Sequence, residues 1–173
     1  MNDQEWVPKV TCAAMTRVAD HAETVGLANT EEFTFRAFFM AAAHDLLDSP
    51  VFQTEWKKFD LLVQVGGVNT LIEFKYYLLR RTYGLDGVAG QAKGGPSLKN
   101  EAEFQACLGK LRDTVVPGIE QRRLILVYER DGNSSRRRSL HRSYGELQPG
   151  PTIARVWPLS VGQLEGRVLE PTP

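Results

Sequence analysis

The chain is expected to fold as an α/β protein: a mixed central β-sheet flanked by helices. Three observations predict this class. Two stretches near the start carry apolar residues at helical spacing. Two strand-like runs, Phe59–Val65 and Asn69–Leu79, are joined by Gly66-Gly67, the signature of a tight hairpin. A third run, Leu124-Ile125-Leu126-Val127-Tyr128, is continuously apolar and is reached through a further helical stretch. A hairpin followed by a strand reached through a helix gives a sheet with both antiparallel and parallel neighbours.

The elements follow in order. Residues 9 to 25 place Val10, Ala14, Val18, Ala22 and Val25 on one helical face, and Gly26 closes the helix. A second helix is expected after Thr30 as N-cap. Glu31 and Glu32 stand in its first turn, where the helix dipole favours them, and the helix ends near Asp48, ahead of Pro50. The hairpin comes next, its second strand apolar on both faces and so central in the sheet. Gly84 to Pro96 is glycine-rich and reads as a loop. A helix from about Lys99 to Thr114 carries Phe104, Leu108 and Leu111 on one face. The strand Arg122–Glu129 follows, then a turn at Asp131–Ser135, a short helix near 139–145, a strand Ile153–Leu159 and a tail from Pro171 to Pro173. No repeat or long linker divides the chain, so all 173 residues are expected to form a single domain. Its core spans about 30–160, with the helix 9–25 packed on it.

Composition narrows the function classes. The apolar fraction of 42% and charged fraction of 24% suit an ordinary soluble domain. No apolar run is long enough to cross a bilayer, and the acidic, polar start does not resemble a secretory signal, so the cytoplasm is the expected location and no membrane partner is expected. Cys12 and Cys107, far apart and each in a helical pattern, are expected to be free buried thiols rather than zinc ligands. His21, His44 and His141 are scattered without HExxH spacing. No serine lies in a GxSxG context, and Gly90 to Gly95 lacks the order of a P-loop. Lys plus Arg and Asp plus Glu are both 21, a zero net charge that argues against a nonspecific nucleic-acid gripper. Yet seven arginines against two acids lie between Arg122 and Arg142. Arg136, Arg137 and Arg138 in that run are candidates for phosphate contact, against the plainer reading of a solvated loop.

The chemistry-bearing pattern is Asp60 in one apolar strand and Glu73-Phe74-Lys75 in the next. Side chains alternate along a strand, so Glu73 and Lys75 share a face and Phe74 points into a core on the other. Burying charge is costly unless it is paired or holds a metal. Two acids and a cation at one face point to a divalent metal with a reacting phosphate beside it. The plain alternative is an exposed hairpin whose charges are simply solvated.

The arrangement resembles the PD-(D/E)XK nuclease superfamily, which has the restriction-endonuclease-like fold. Asp60, then Glu73-Phe74-Lys75 thirteen residues later across a hairpin, carry the motif, and element order extends the likeness over roughly residues 30 to 130. Phe59 stands where the family often has proline. The resemblance implies a Mg2+- or Mn2+-dependent nuclease that hydrolyses phosphodiester bonds, with DNA as the first expectation for substrate. It implies Asp60, Glu73 and the Phe74 carbonyl as metal ligands, and Lys75 as the group that orients water and offsets negative charge. It also implies a further acid from the early helix, Glu32 ahead of Glu31, with Glu55 as another contributor. Gln105 on the later helix would orient phosphate or water. Cutting both strands of a duplex would favour a homodimer. The alternative function is an inactive module of the same fold that binds nucleic acid or a protein partner within a larger assembly.

Overall fold

The computed structural model describes residues 5–78, 80–83, 85–93, 98–130 and 144–173. In chain order its helices are α1 (Trp6–Val25), α2 (Glu32–Leu46) and α3 (Leu98–Asp113), with a single 3-10 turn at Leu27–Asn29. Its strands are β1 (Val51–Trp56), β2 (Phe59–Val65), β3 (Val68–Tyr77), β4 (Arg80–Tyr83), β5 (Ala89–Lys93), β6 (Gln121–Glu129), β7 (Ile153–Val161) and β8 (Leu164–Pro171). Six of them form an open sheet in the order β1-β2-β3-β6-β8-β7, and β4 pairs with β5 separately. Within the six, β3 and β6 run parallel and the other neighbours antiparallel, so the sheet is mixed.

The alternation on β3 sorts the layers. Ile72, Phe74 and Leu78 join the core beneath α1 and α2, while Leu71 and Tyr77 join the core beneath α3. Phe74 is the anchor of the first layer: Phe35 and Phe39 of α2 meet its ring edge-on at 5.7 and 5.3 Å between centroids, a preferred geometry for aromatic pairs. With Phe74 held there, Glu73 and Lys75 must face α3. That helix is tied to β3 at its start, where the Tyr77 hydroxyl donates to the Asn100 carbonyl at 2.8 Å.

Several boundaries differ from the sequence reading. Helix α1 begins at Trp6 rather than residue 9. Thr30 is not the N-cap of α2. Glu31 is, with its N–H donating to the Thr34 hydroxyl at 3.3 Å, while the buried Thr30 hydroxyl bonds the Leu27 carbonyl and the Tyr76 hydroxyl. Strand β1 was not expected. It is an exposed edge strand without the apolar alternation that marks a half-buried one. Strands β4 and β5 fall where a loop was expected. Strand β8, buried between β6 and β7, falls where no element was expected, and it takes in Pro171, the first residue of the expected tail. Gly166 and Arg167 hide it from a propensity reading. Gly166 is needed for close approach of α1, since a Cβ there would lie 2.8 Å from Met15 Sδ. The two thiols are free, as expected, but half-buried. The turn at Asp131–Ser135, the run Arg136, Arg137 and Arg138, His141 and most of the short helix near 139–145 lie outside the described residues.

Candidate active site

The site forms where β2 parts from β3. Ladder pairing between them runs from Val65–Val68 to Leu61–Ile72 and stops there. In a regular strand Phe59 and Leu61 would share a face. Here Phe59 packs in the α3 layer and Leu61 in the α1/α2 layer, so the chain twists at Asp60. On β1, Glu55 stands across from Asp60 outside the ladder, in a left-handed conformation at φ 53°. Arg36 of α2 braces this irregularity. Its Nη1 donates to Glu55 Oε1 at 2.5 Å and to the Asp60 carbonyl at 3.5 Å.

The twist sends the Asp60 carboxylate sideways to the uncovered edge of β3, where Oδ2 accepts the Phe74 N–H at 2.7 Å. In an extended strand a residue's N–H and C=O point to the same side, so the Phe74 carbonyl is directed towards β2 as well, and not into the ladder with β6. One step further along the edge, the Tyr76 N–H donates to the Glu32 carboxylate from the first turn of α2. Two acids from different elements thus cap the backbone donors that β2 leaves unpaired.

Glu73 is 2% exposed and faces α3. Its Oε1 accepts from Lys110 Nζ, which also donates to the Lys58 carbonyl and lies 4.4 Å from the centre of the Phe59 ring. Burial pushes the Glu73 carboxyl up to about 7. Lys110 and Lys75 oppose the rise and the charge of Asp60 adds to it. Glu32 is also raised, first by burial and then by Asp60, against Lys75 and Arg36. Lys75 is half-buried. Burial works to lower its pKa, but Cys107, Glu32, Asp60 and Glu73 together hold the ammonium above its ordinary value. The Cys107 thiol is raised by burial, against the attraction of Lys75; a raised thiol is a poor nucleophile.

The structure therefore brings Asp60, Glu73, Lys75 and Glu32 into one electrostatic cluster, and the plain alternative of solvated hairpin charges does not describe them. Of the other candidate acids, Glu31 caps α2 at an exposed position and Glu55 is paired with Arg36. Gln105 does not join the cluster. It is exposed on α3 and donates to Glu101 at 2.9 Å, more than a third of a turn around the helix from Cys107 and Lys110. Sequence reasoning missed Lys110, Cys107 and Arg36. Lys110 carried one signal: it lies three residues after Cys107, at the border of the apolar stripe Phe104, Leu108, Leu111.

Among the described residues, no group of three or more His, Cys, Asp or Glu side chains is arranged to hold a metal ion, and no helix is long and apolar enough to cross a membrane. Two carboxylates and a carbonyl nevertheless suit a hard cation that retains its waters. Comparison with protein-family models, curated proteins and solved structures found no match to this chain.

Proposed function

We propose that this chain is a nuclease of restriction-endonuclease-like fold that hydrolyses phosphodiester bonds with Mg2+ or Mn2+, acting on DNA. The observation that carries the reading is a carboxylate and an ammonium, Glu73 and Lys75, enclosed on one face of β3, with Asp60 turned onto the adjacent strand edge. Burying charge costs folding energy that pairing only offsets. Asp60, Glu73 and the Phe74 carbonyl would hold the metal, which supplies Lewis acidity and a more acidic bound water. Lys75 stays protonated, so it acts as a hydrogen-bond donor and counter-charge for the phosphoryl oxygens rather than as a base. Glu32 orients the strand edge through Tyr76 and keeps Lys75 charged.

The test is cleavage of labelled duplex and single-stranded DNA with Mn2+, Mg2+ or chelator. The parent should cut only with metal. Asp60→Asn and Lys75→Met should keep the circular-dichroism spectrum and lose at least about 10²-fold in rate, the scale of one electrostatic contact at a reacting centre. Variants that cut as fast as the parent would overturn the assignment.

One observation favours a second reading, an inactive module of the same fold. The Lys110 ammonium already bonds Glu73 and the Lys58 carbonyl, so a protein cation occupies the side of the carboxylate that a metal would use. Calorimetric titration with Mn2+ separates the two: the nuclease binds it through Asp60 and Glu73, and the module gives no heat that depends on them.

A further inference from the structure

We propose that the β1–β2 turn, Lys57-Lys58, is a phosphate-backbone contact that delivers nucleic acid to the site; the inference rests on the nuclease reading and adds a binding surface to it. The turn is a two-residue hairpin loop between the paired residues Trp56 and Phe59. Lys57 and Lys58 have φ values of 47° and 72°. Positive φ at both central residues defines the type I′ turn, whose natural occupants are Asn-Gly and Asp-Gly. The chain has a near-identical turn one hairpin later, between Val65 and Val68, and fills it with Gly66-Gly67 at φ 56° and 85°. Two lysines in the same backbone shape are strained where glycine is not. Strain of this kind persists where function requires the side chains.

Three further observations fit the contact. Both lysines are exposed, and among the described residues neither ammonium is ion-paired with a carboxylate. Lys57 is held over the Trp56 ring at 4.7 Å from its centre, and Trp56 packs against the core beneath α3, so the cation is presented on a braced aromatic base. The Lys58 carbonyl and Glu73 Oε1 are bridged by the same Lys110 ammonium. The turn is therefore one side chain away from the buried carboxylate. Cations on the rim of an acidic site suit a polyanion whose backbone must pass over it.

The test is the double variant Lys57→Asn/Lys58→Gly, which supplies the residues the turn prefers and leaves the Lys58 carbonyl in place for Lys110. Binding to a duplex DNA oligonucleotide is measured in chelator across a salt series, beside thermal midpoints. The variant should melt higher than the parent, bind more weakly, and show a log K against log salt slope shallower by about 1.8, the loss of two phosphate contacts. Lys9→Asn, a charge removed from the exposed face of α1, should leave the slope unchanged. A variant that binds with the parent's affinity and slope overturns the inference while leaving the nuclease reading intact. If the Lys57→Asn/Lys58→Gly effect is found but Asp60→Asn still cuts, the contact stands and the assigned site falls. A parent that neither binds nor cuts DNA ends both.

Discussion

Between pH 4 and pH 8 the Glu73→Gln variant should gain stability relative to the parent by about 3 kcal/mol. The folded-state carboxyl lies at about 7 against an ordinary value of 4.5, and each pKa unit corresponds to about 1.36 kcal/mol. The sign follows from proton counts. Between 4.5 and 7 the folded chain holds a proton that the unfolded chain has released, so parent stability falls as pH rises through that window. Below it the cost is absent, and above it the cost is complete. Glutamine cannot ionise and removes the slope. It also leaves Lys110 without its carboxylate, but that attraction exists only in the ionised form and is already part of the folded-state pKa, so the change in the difference between variant and parent still reports the titration. Urea unfolding of both proteins at pH 4 and pH 8, in chelator, measures it. A difference that does not change with pH, or that grows in the parent's favour, would refute the claim that burial outweighs the two lysines at Glu73.

Lys110→Met should cost about 1.5–3 kcal/mol at pH 8, the scale of a hydrogen bond to a charged group, and less at pH 4, where Glu73 is protonated; combined with Glu73→Gln the pH-dependent part should vanish, which the same unfolding curves report. Gly166→Ala should cost about 1–3 kcal/mol by overpacking, because its new methyl would press on Met15 Sδ and Leu159 Cβ, at 2.8 and 3.4 Å. Part of that loss should be recovered in the Gly166→Ala/Met15→Ala double variant, and strict additivity of the two single changes would count against the close approach of α1 to β8.

How much of this was legible in the sequence depends on which physical signal each element carries. β2, β3 and β6 read clearly because apolar residues fill their faces and Gly66-Gly67 announces the turn. The Lys57-Lys58 turn has the same shape and no signal, since lysine is not a residue that positive φ selects. With it went β1, whose exposed pattern resembles a loop. β8 was lost because its glycine and buried arginine answer tertiary demands, a helix crossing at Gly166 and the Tyr128 ring beneath Arg167 at 5.6 Å, which no local preference encodes. The site divides along the same line. Glu73 and Lys75 are legible because alternation on one strand fixes their relative placement. Glu32 came only from the resemblance. Lys110 carries only a weak local signal because its role depends on which turn of α3 passes over Glu73, and Gln105, on the far side of that helix, is suggested by residue type alone.

The separation of β2 from β3 sets these charges at a strand edge that has no ladder partner. Past Leu61–Ile72 the edge of β3 must satisfy its backbone donors by other means. Asp60 and Glu32 do so at the Phe74 and Tyr76 N–H groups, and for these two acids the structural duty is a sufficient reason to exist. Asparagine and glutamine would also accept those bonds through a side-chain carbonyl oxygen. The buried pair on the next face is different. Glu73 caps nothing on its own strand, sits at a pKa that penalises folding near neutral pH, and is met by a lysine reaching across from α3. Replacing buried ionic groups with apolar ones of similar size is often neutral or stabilising. A chain under selection for folding alone therefore has an easier solution at residue 73, and on the proposed nuclease reading the carboxylate stands there for its chemistry, beside a charged Lys75 and a strand edge where the Phe74 carbonyl is directed away from the ladder with β6.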